Sequence, residues 1–147
     1  NENDVIKFIS EKYGNQSIIQ SLDCMRKNSS SNEYSVMVDS GTVNTGIDPL
    51  TYARKAILEG VGEILINSVD NDGGLLGYDL NLIKTISQEI NSPIIALGGA
   101  GNWQHMLDLF NTANISAACT QNIFHFTEQS ILSAKKFLKF NKIKIRN

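Results

Sequence analysis

An α/β fold built from four parallel strand–helix units is what these 147 residues predict. Three observations carry that reading. Short apolar runs alternate with amphipathic segments of helical length, the order of βαβ units with right-handed crossovers. The runs Ile64–Ile66 and Ile94–Leu97 are apolar without alternation, as in parallel strands buried on both faces. Glycine-rich and polar stretches follow the strands, at the sheet end where parallel α/β folds place their ligands.

Each element has a local cause. Asp4 to Tyr13 has helical apolar spacing, with Gly14 at the C-cap position. Ser17–Leu22 is strand-sized, so the first parallel strand is expected over about residues 16–22. Lys27 to Glu33 reads as a loop, and Tyr34–Val38 beyond it is short enough for a hairpin arm. Asp48-Pro49 opens a helix, aspartate as N-cap and proline in the first turn, that continues through Leu50–Leu58 to Gly60. Glu63–Asn67 is the second strand, and Asp79 caps a helix to about Ile90 after the loop Ser68–Gly77. Pro93–Leu97, the third strand, runs into Gly98-Gly-Ala-Gly101 and a helix from Asn102 to about Asn111. Ser116–Cys119 is a small-residue fourth strand, followed by a short turn at Ile123–Phe126 and a last helix from Glu128 to Phe140.

The composition suits one globular domain: 41% hydrophobic, 19% charged and only two prolines, which argues against linkers or disorder. Net charge is −2, and the basic cluster from Lys135 to Arg146 closes a terminal helix, where cations complement the dipole, rather than forming a nucleic-acid surface. No apolar run approaches the roughly 20 residues a membrane span requires, and nothing at the start resembles a signal peptide, so a cytoplasmic protein is expected. Cys24 and Cys119 have no metal-like spacing and read as buried reduced thiols. The chain begins with Asn1 rather than methionine, as a processed product or a fragment would.

Two architectures share this element order: an open flavodoxin-like sheet, and four eighths of a closed barrel. The loops separate them. Asp70-Asn-Asp-Gly-Gly74, Gly98-Gly-Ala-Gly101 and Thr120-Gln-Asn122 follow successive strands. Glycine lets the backbone approach a ligand closely, and free N–H groups at a helix start bind anions. Paired loops after the last two strands form the usual phosphate site of the barrel type. Taken alone, the glycine run after a strand is as well explained by a tight packing turn, and it lacks the third glycine of a dinucleotide fingerprint.

The ordered motifs do more. Gly62-Glu-Ile-Leu-Ile-Asn-Ser-Val-Asp70, Asp72-Gly73, Gly77-Tyr-Asp79, Pro93-Ile-Ile-Ala-Leu-Gly-Gly-Ala-Gly101 and Phe124-His-Phe126 resemble the cyclase subunit of imidazole glycerol phosphate synthase. Leu22-Asp23 with Arg26, and Asn44-Thr-Gly46, fit as well. The resemblance covers essentially the whole chain but only the C-terminal half of that family's (βα)8 barrel. It implies a (βα)4 half-barrel over residues 1–147, within a lyase–cyclase fed with ammonia by a glutaminase partner. The implied substrate is a bis-phosphorylated ribulosyl formimino nucleotide, cleaved to imidazole glycerol phosphate and a carboxamide nucleotide. No cofactor is implied.

Residue by residue, the resemblance assigns Asp23 as one of two catalytic aspartates sharing acid–base work, the other lying in the absent half. A carboxylate held at a strand end can shuttle protons to a bound substrate; capping of the next loop is the alternative. Asp72, Gly73, Gly99 and Asn122 fall where the family binds one substrate phosphate. A carboxylate beside phosphate is electrostatically awkward, so Asp72 is expected to orient loop amides or a substrate hydroxyl while glycine amides hold the phosphate. Asp70 is expected to brace its loop. Glu63, at the start of its strand and so at the opposite barrel end, matches a charged ammonia gate; a surface glutamate is the plain alternative. Gln16, also at that end, would face the glutaminase. His125, His105 and Trp103 read as packing residues, and there is no metal constellation.

Some positions depart from the family pattern: Asn67 replaces threonine, Leu97 serine and Asn71 a basic residue, while the loop becomes Gly74-Leu-Leu-Gly77 and Thr120-Gln121 replaces small apolar residues. Asn67-Ser68 and Ala96 to Gly101 also resemble paralogues that serve amidation of a surface-polysaccharide sugar. A non-catalytic ammonia-conducting scaffold is a third reading, and a sister phosphoribosyl isomerase barrel fits the run from Gly60 to Asp79 less well. Half a parallel barrel leaves unpaired edges, so either self-association or docking of the missing half is expected.

Overall fold

The computed structural model describes residues 2–120, 123–126 and 130–146. Along the chain come α1 (Glu2–Tyr13), a 3-10 turn (Asn15–Ser17), β1 (Ile19–Arg26), β2 (Tyr34–Val38), β3 (Val43–Asn44) and α2 (Pro49–Glu59). They are followed by β4 (Glu63–Ser68), α3 (Leu80–Ser87), β5 (Ile94–Leu97), α4 (Trp103–Thr112), β6 (Ala117–Ala118), α5 (Ile123–Phe126) and α6 (Ile131–Phe140). The sheet has six strands in the order β3-β2-β1-β4-β5-β6. β1, β4, β5 and β6 are parallel, whereas β2 and β3 form an antiparallel hairpin against β1. This is the expected half-barrel sheet with the hairpin arm attached.

The helices start and stop where their side chains dictate. Asp48 accepts the Thr51 N–H ahead of Pro49, and Gly60 ends α2 in the left-handed region at φ 112°. Asp79 accepts the Leu82 N–H and Asn102 the His105 N–H, opening α3 and α4. α3 stops at Ser87 rather than running to Ile90, although the Ile90 N–H still bonds back to the Ile86 carbonyl. Ser130 caps α6, three residues into the expected helix.

The first strand is displaced from its expected place: β1 begins at Ile19 and runs to Arg26. Residues 15–17 turn instead, because Gly14 sits at φ 89° and the Tyr13 carbonyl collects the Gln16 and Ser17 side chains. At the other end, pairing of Asp23–Arg26 with β2 keeps the strand extended past Asp23. Asp23 therefore lies inside the strand, and Ile19–Leu22 have no partner on the hairpin side among the described residues.

The two sheet faces differ. Leu22, Cys24, Ile64, Ile66, Ile94 and Ala96 are buried in one cluster with Ala53 and Ala56 of α2, Ile83 and Ile86 of α3, and Leu109 of α4. Each fully buried aliphatic side chain there contributes about 2 kcal/mol. The alternate residues are less covered: Ile19 is 53% exposed, and Leu65, Ile95 and Leu97 are half-buried. Burial on both faces is thus not what this chain shows. Its helices cover one side, and the other is the side a closed barrel would enclose. No helix among the described residues is long and apolar enough to cross a membrane.

A buried carboxylate ties the strands to the helices. Asp79, with its side chain 1% exposed, accepts Arg26 Nη2 at 2.6 Å, the Tyr34 hydroxyl at 2.9 Å and the Leu82 N–H at 3.2 Å. Removing one partner of such a pair strands the other charge. Asp79→Ala is therefore expected to lower unfolding free energy by about 3 kcal/mol, read from denaturant midpoints. Burial, reinforced by the bond to Asp79, also holds the Tyr34 hydroxyl well above its ordinary range, and burial does the same to Tyr78. An unfolded chain ionises these groups first. Stability should be full below about pH 9 and fall as pH rises further, and midpoints flat to pH 11 would contradict this.

Candidate active site at the strand C-terminal rim

The rim is assembled from strand register. Asp23, Asn67 and Leu97 follow one another across β1, β4 and β5 as ladder partners, on the less-covered face. Asn67 Nδ2 donates to Asp23 Oδ1 at 3.0 Å. Among the described residues Asp23 accepts no hydrogen bond from the loop that follows β1. Asp70 Oδ2 accepts the Arg26 backbone N–H at 2.8 Å, which braces the loop carrying Asp70 against the end of β1.

Two loops are stitched together above the strands. The Asn71 and Asp72 N–H groups fold back onto the Ser68 carbonyl, Asn71 Nδ2 donates to the Gly77 carbonyl at 2.8 Å, and the Gly77 N–H donates to the Gly99 carbonyl at 2.7 Å. Gly98 and Gly99 both take positive φ, 95° and 94°. A Cβ on Gly99 would run into the Gly77 carbonyl, and one on Gly98 would lie 2.8 Å from the Ser68 carbonyl. The glycine run is thus demanded by backbone-on-backbone packing as well as by the room it leaves above.

Between these loops lies a pocket of about 200 Å³ lined by Asp72, Gly73, Leu75, Gly99, Cys119 and Thr120, among others. A neighbouring cleft of about 420 Å³ is lined by Asp23, Ser40, Gly41, Asn67, Val69 and Asp72, so Asp72 borders both. The N–H groups of Gly73, Gly99 and Ala100 have no hydrogen-bond partner among the described residues, and neither lining includes lysine or arginine. An anion here would rest on backbone amides near the start of α4 rather than on side-chain cations. The arrangement pairs an amide-lined pocket with a carboxylate beside it.

Asp23, Asp72, Gly73 and Gly99 therefore share one rim. Glu63 stands at the other end: it pairs in register with Ile19, is half-buried, and shares the strand face of Asn67 by alternation. Gln16 is exposed in the 3-10 turn at that end. His105 Nδ1 accepts the Gly101 N–H at 3.1 Å and Trp103 packs on Phe124 with ring centroids 5.9 Å apart, both packing roles. Gln121, Asn122 and the side chain of His125 lie outside the described residues. No group of potential metal ligands occurs among the described residues.

Sequence reasoning missed two contributors. The hairpin tip Asp39-Ser40-Gly41 curls over the Asp23 cleft, with Asp39 and Ser40 at φ 51° and 59°; the turn-forming Asp-Ser-Gly triplet was the available signal. The Asn67–Asp23 bond had none, because residues 44 positions apart meet only through register.

The two cysteines part company. Burial, and then the Asp23 charge, pushes the Cys24 thiol up to about 12. Cys119 is half-buried at the pocket wall. Iodoacetamide at pH 8 should label Cys119 in the native protein and reach Cys24 only on unfolding. Mass-spectrometric labelling of Cys24 at the native rate would contradict this placement.

Known proteins share this pattern. The profile of the family described as "Histidine biosynthesis protein" matches residues 1–130. The chain is 41% identical over 143 residues to imidazole glycerol phosphate synthase subunit HisF of Prochlorococcus marinus (strain MIT 9312), covering 97% of this chain and 56% of the relative. It is 38% identical over 142 residues to the same subunit of Streptococcus mutans serotype c (strain ATCC 700610 / UA159), covering 97% and 56%. With the subunit of Methanosarcina mazei (strain ATCC BAA-159 / DSM 3647 / Goe1 / Go1 / JCM 11833 / OCM 88) identity is 38% over 156 residues, covering 96% and 57%. The chain spans about half the length of the curated relatives it matches. A parallel half-barrel with its loops on one rim, matched by a family profile over most of its length, belongs to the histidine biosynthesis protein family of (βα)8 barrels.

Proposed function

We propose that this chain is the C-terminal half of an ammonia-dependent lyase–cyclase of the imidazole glycerol phosphate synthase type. The observation that carries the reading is Asp23 on the less-covered sheet face, one cleft away from an amide-lined pocket to which Asp72, Gly73 and Gly99 all contribute. The N–H groups of Gly73, Gly99 and Ala100 hold one phosphate of a bis-phosphorylated ribulosyl formimino nucleotide. Its reacting carbons then lie over Asp23, whose carboxylate takes and returns protons as the ring closes. Ammonia comes from a glutaminase subunit docked at the opposite end of the strands, near Glu63 and Gln16, and passes along the sheet face. The second acid–base group and the second phosphate site belong to a half of the barrel beyond this chain, which also covers the free edges of β1 and β6.

Amidation of a surface-polysaccharide sugar is the second reading. Leu75 and Leu97 on the pocket wall favour it, since they present apolar surface where a charged, twice-phosphorylated substrate gains least.

The test uses the full-length protein, ammonium salt and each candidate substrate, with products identified by mass spectrometry. Imidazole glycerol phosphate should form, and Asp23→Asn should reduce kcat by about 100-fold or more. The 147 residues alone should give no turnover, and inorganic phosphate should slow alkylation of Cys119. An amidine product would select the second reading, and undiminished turnover by Asp23→Asn would refute the assigned chemistry.

A further inference from the structure

We propose that Asn67 is a positioning residue that selects which oxygen of Asp23 transfers the proton, an inference that rests on the cyclase reading. Asp23 and Asn67 are register partners across β1 and β4, so their side chains rise side by side from the same face. Asn67 Nδ2 donates to Asp23 Oδ1 at 3.0 Å, and this is the amide's one hydrogen bond among the described residues. The other end of the amide, Oδ1, is buried and unpartnered. Buried carbonyl oxygens usually find a donor, and each exception calls for a reason. Here the reason is the carboxylate: turning the amide over would set its oxygen against Asp23 Oδ1, acceptor against acceptor.

The fit also depends on what stands behind. A Cβ at Gly98 would lie 2.9 Å from Asn67 Oδ1, so the glycine leaves the space the amide occupies. Wedged in this way, Asn67 engages one carboxylate oxygen and leaves Asp23 Oδ2 as the atom free to meet a substrate proton. An unsupported aspartate would rotate and present either oxygen in turn, losing the alignment that proton transfer requires. Asn67 borders the same cleft, and its role in this scheme is exerted through Asp23.

The test compares full-length Asn67→Leu, which keeps bulk but lacks a donor, with Asn67→Thr, which restores a hydroxyl donor. Asn67→Leu should lose about 10- to 100-fold in kcat with KM changed by less than about threefold, and Asn67→Thr should recover most of the loss. A folded Asn67→Leu with wild-type kcat, or equal losses in Leu and Thr that track lowered melting temperatures, would overturn the inference. Should Asn67→Leu fail to fold, side-chain amide exchange decides. One Asn67 amide proton should exchange slowly in the unsubstituted protein and be released by Asp23→Ala, and identical exchange in both would overturn it. Absence of turnover in the unsubstituted protein would remove the cyclase reading, and this inference with it.

Discussion

The structure turns on a single buried carboxylate. Asp79 opens α3, receives the guanidinium at the end of β1 and the phenol at the start of β2, and so joins three elements that are distant in sequence. Burying a charge is costly unless every lone pair finds a donor, and Asp79 gathers a guanidinium N–H, a hydroxyl and a backbone N–H. Arg26 is used more than once: its guanidinium stacks over the Tyr34 ring at 5.0 Å, and its own N–H is taken by Asp70. The end of β1, the hairpin base and the loop above the pocket are thereby fixed relative to one another. Asp23 sits three residues from Arg26 on the same strand, paired with Met37 on one side and Asn67 on the other.

The pocket is a product of the same economy of contacts. Neither of its two main loops is held chiefly by apolar side chains. They are held by backbone donors and acceptors meeting at the Gly77–Gly99 contact, with Asn71 clamping the Gly77 carbonyl from the side. Such an arrangement needs residues without side chains at the crossing points, and it leaves the N–H groups of Gly73, Gly99 and Ala100 without a hydrogen-bond partner among the described residues. Loop packing and an amide-lined pocket are therefore not competing explanations of the glycine run; the first creates the second.

Much of this was legible in the sequence. Asp48-Pro49, Asp79 and Asn102 announce helix starts through chemistry confined to a few residues, and the apolar strand runs announce parallel pairing. Asp72, Gly73 and Gly99 could be gathered at one rim because strand ends on a parallel sheet share a side. The limits of β1 could not be read in advance. Residues 15–17 turn because of Gly14 and its neighbours, while the strand is prolonged by pairing with Tyr34–Met37, a non-local contact. Burial of both sheet faces was also expected and is met on one face only, since apolar runs record what the complete sheet encloses rather than what one piece covers. The Asn67–Asp23 bond belongs to the same class, being a product of register alone.

The hairpin pairs with β1 only from Asp23 upward, and among the described residues Ile19–Leu22 have no ladder partner on that side. The two ends of the strand are thus under different masters. Its upper end is paired on both sides within the chain, while its lower end is paired on the β4 side alone among the described residues. On the proposed cyclase reading, errors of assembly would accordingly be felt as a leaking floor near Glu63 rather than as a misshapen mouth around Asp23.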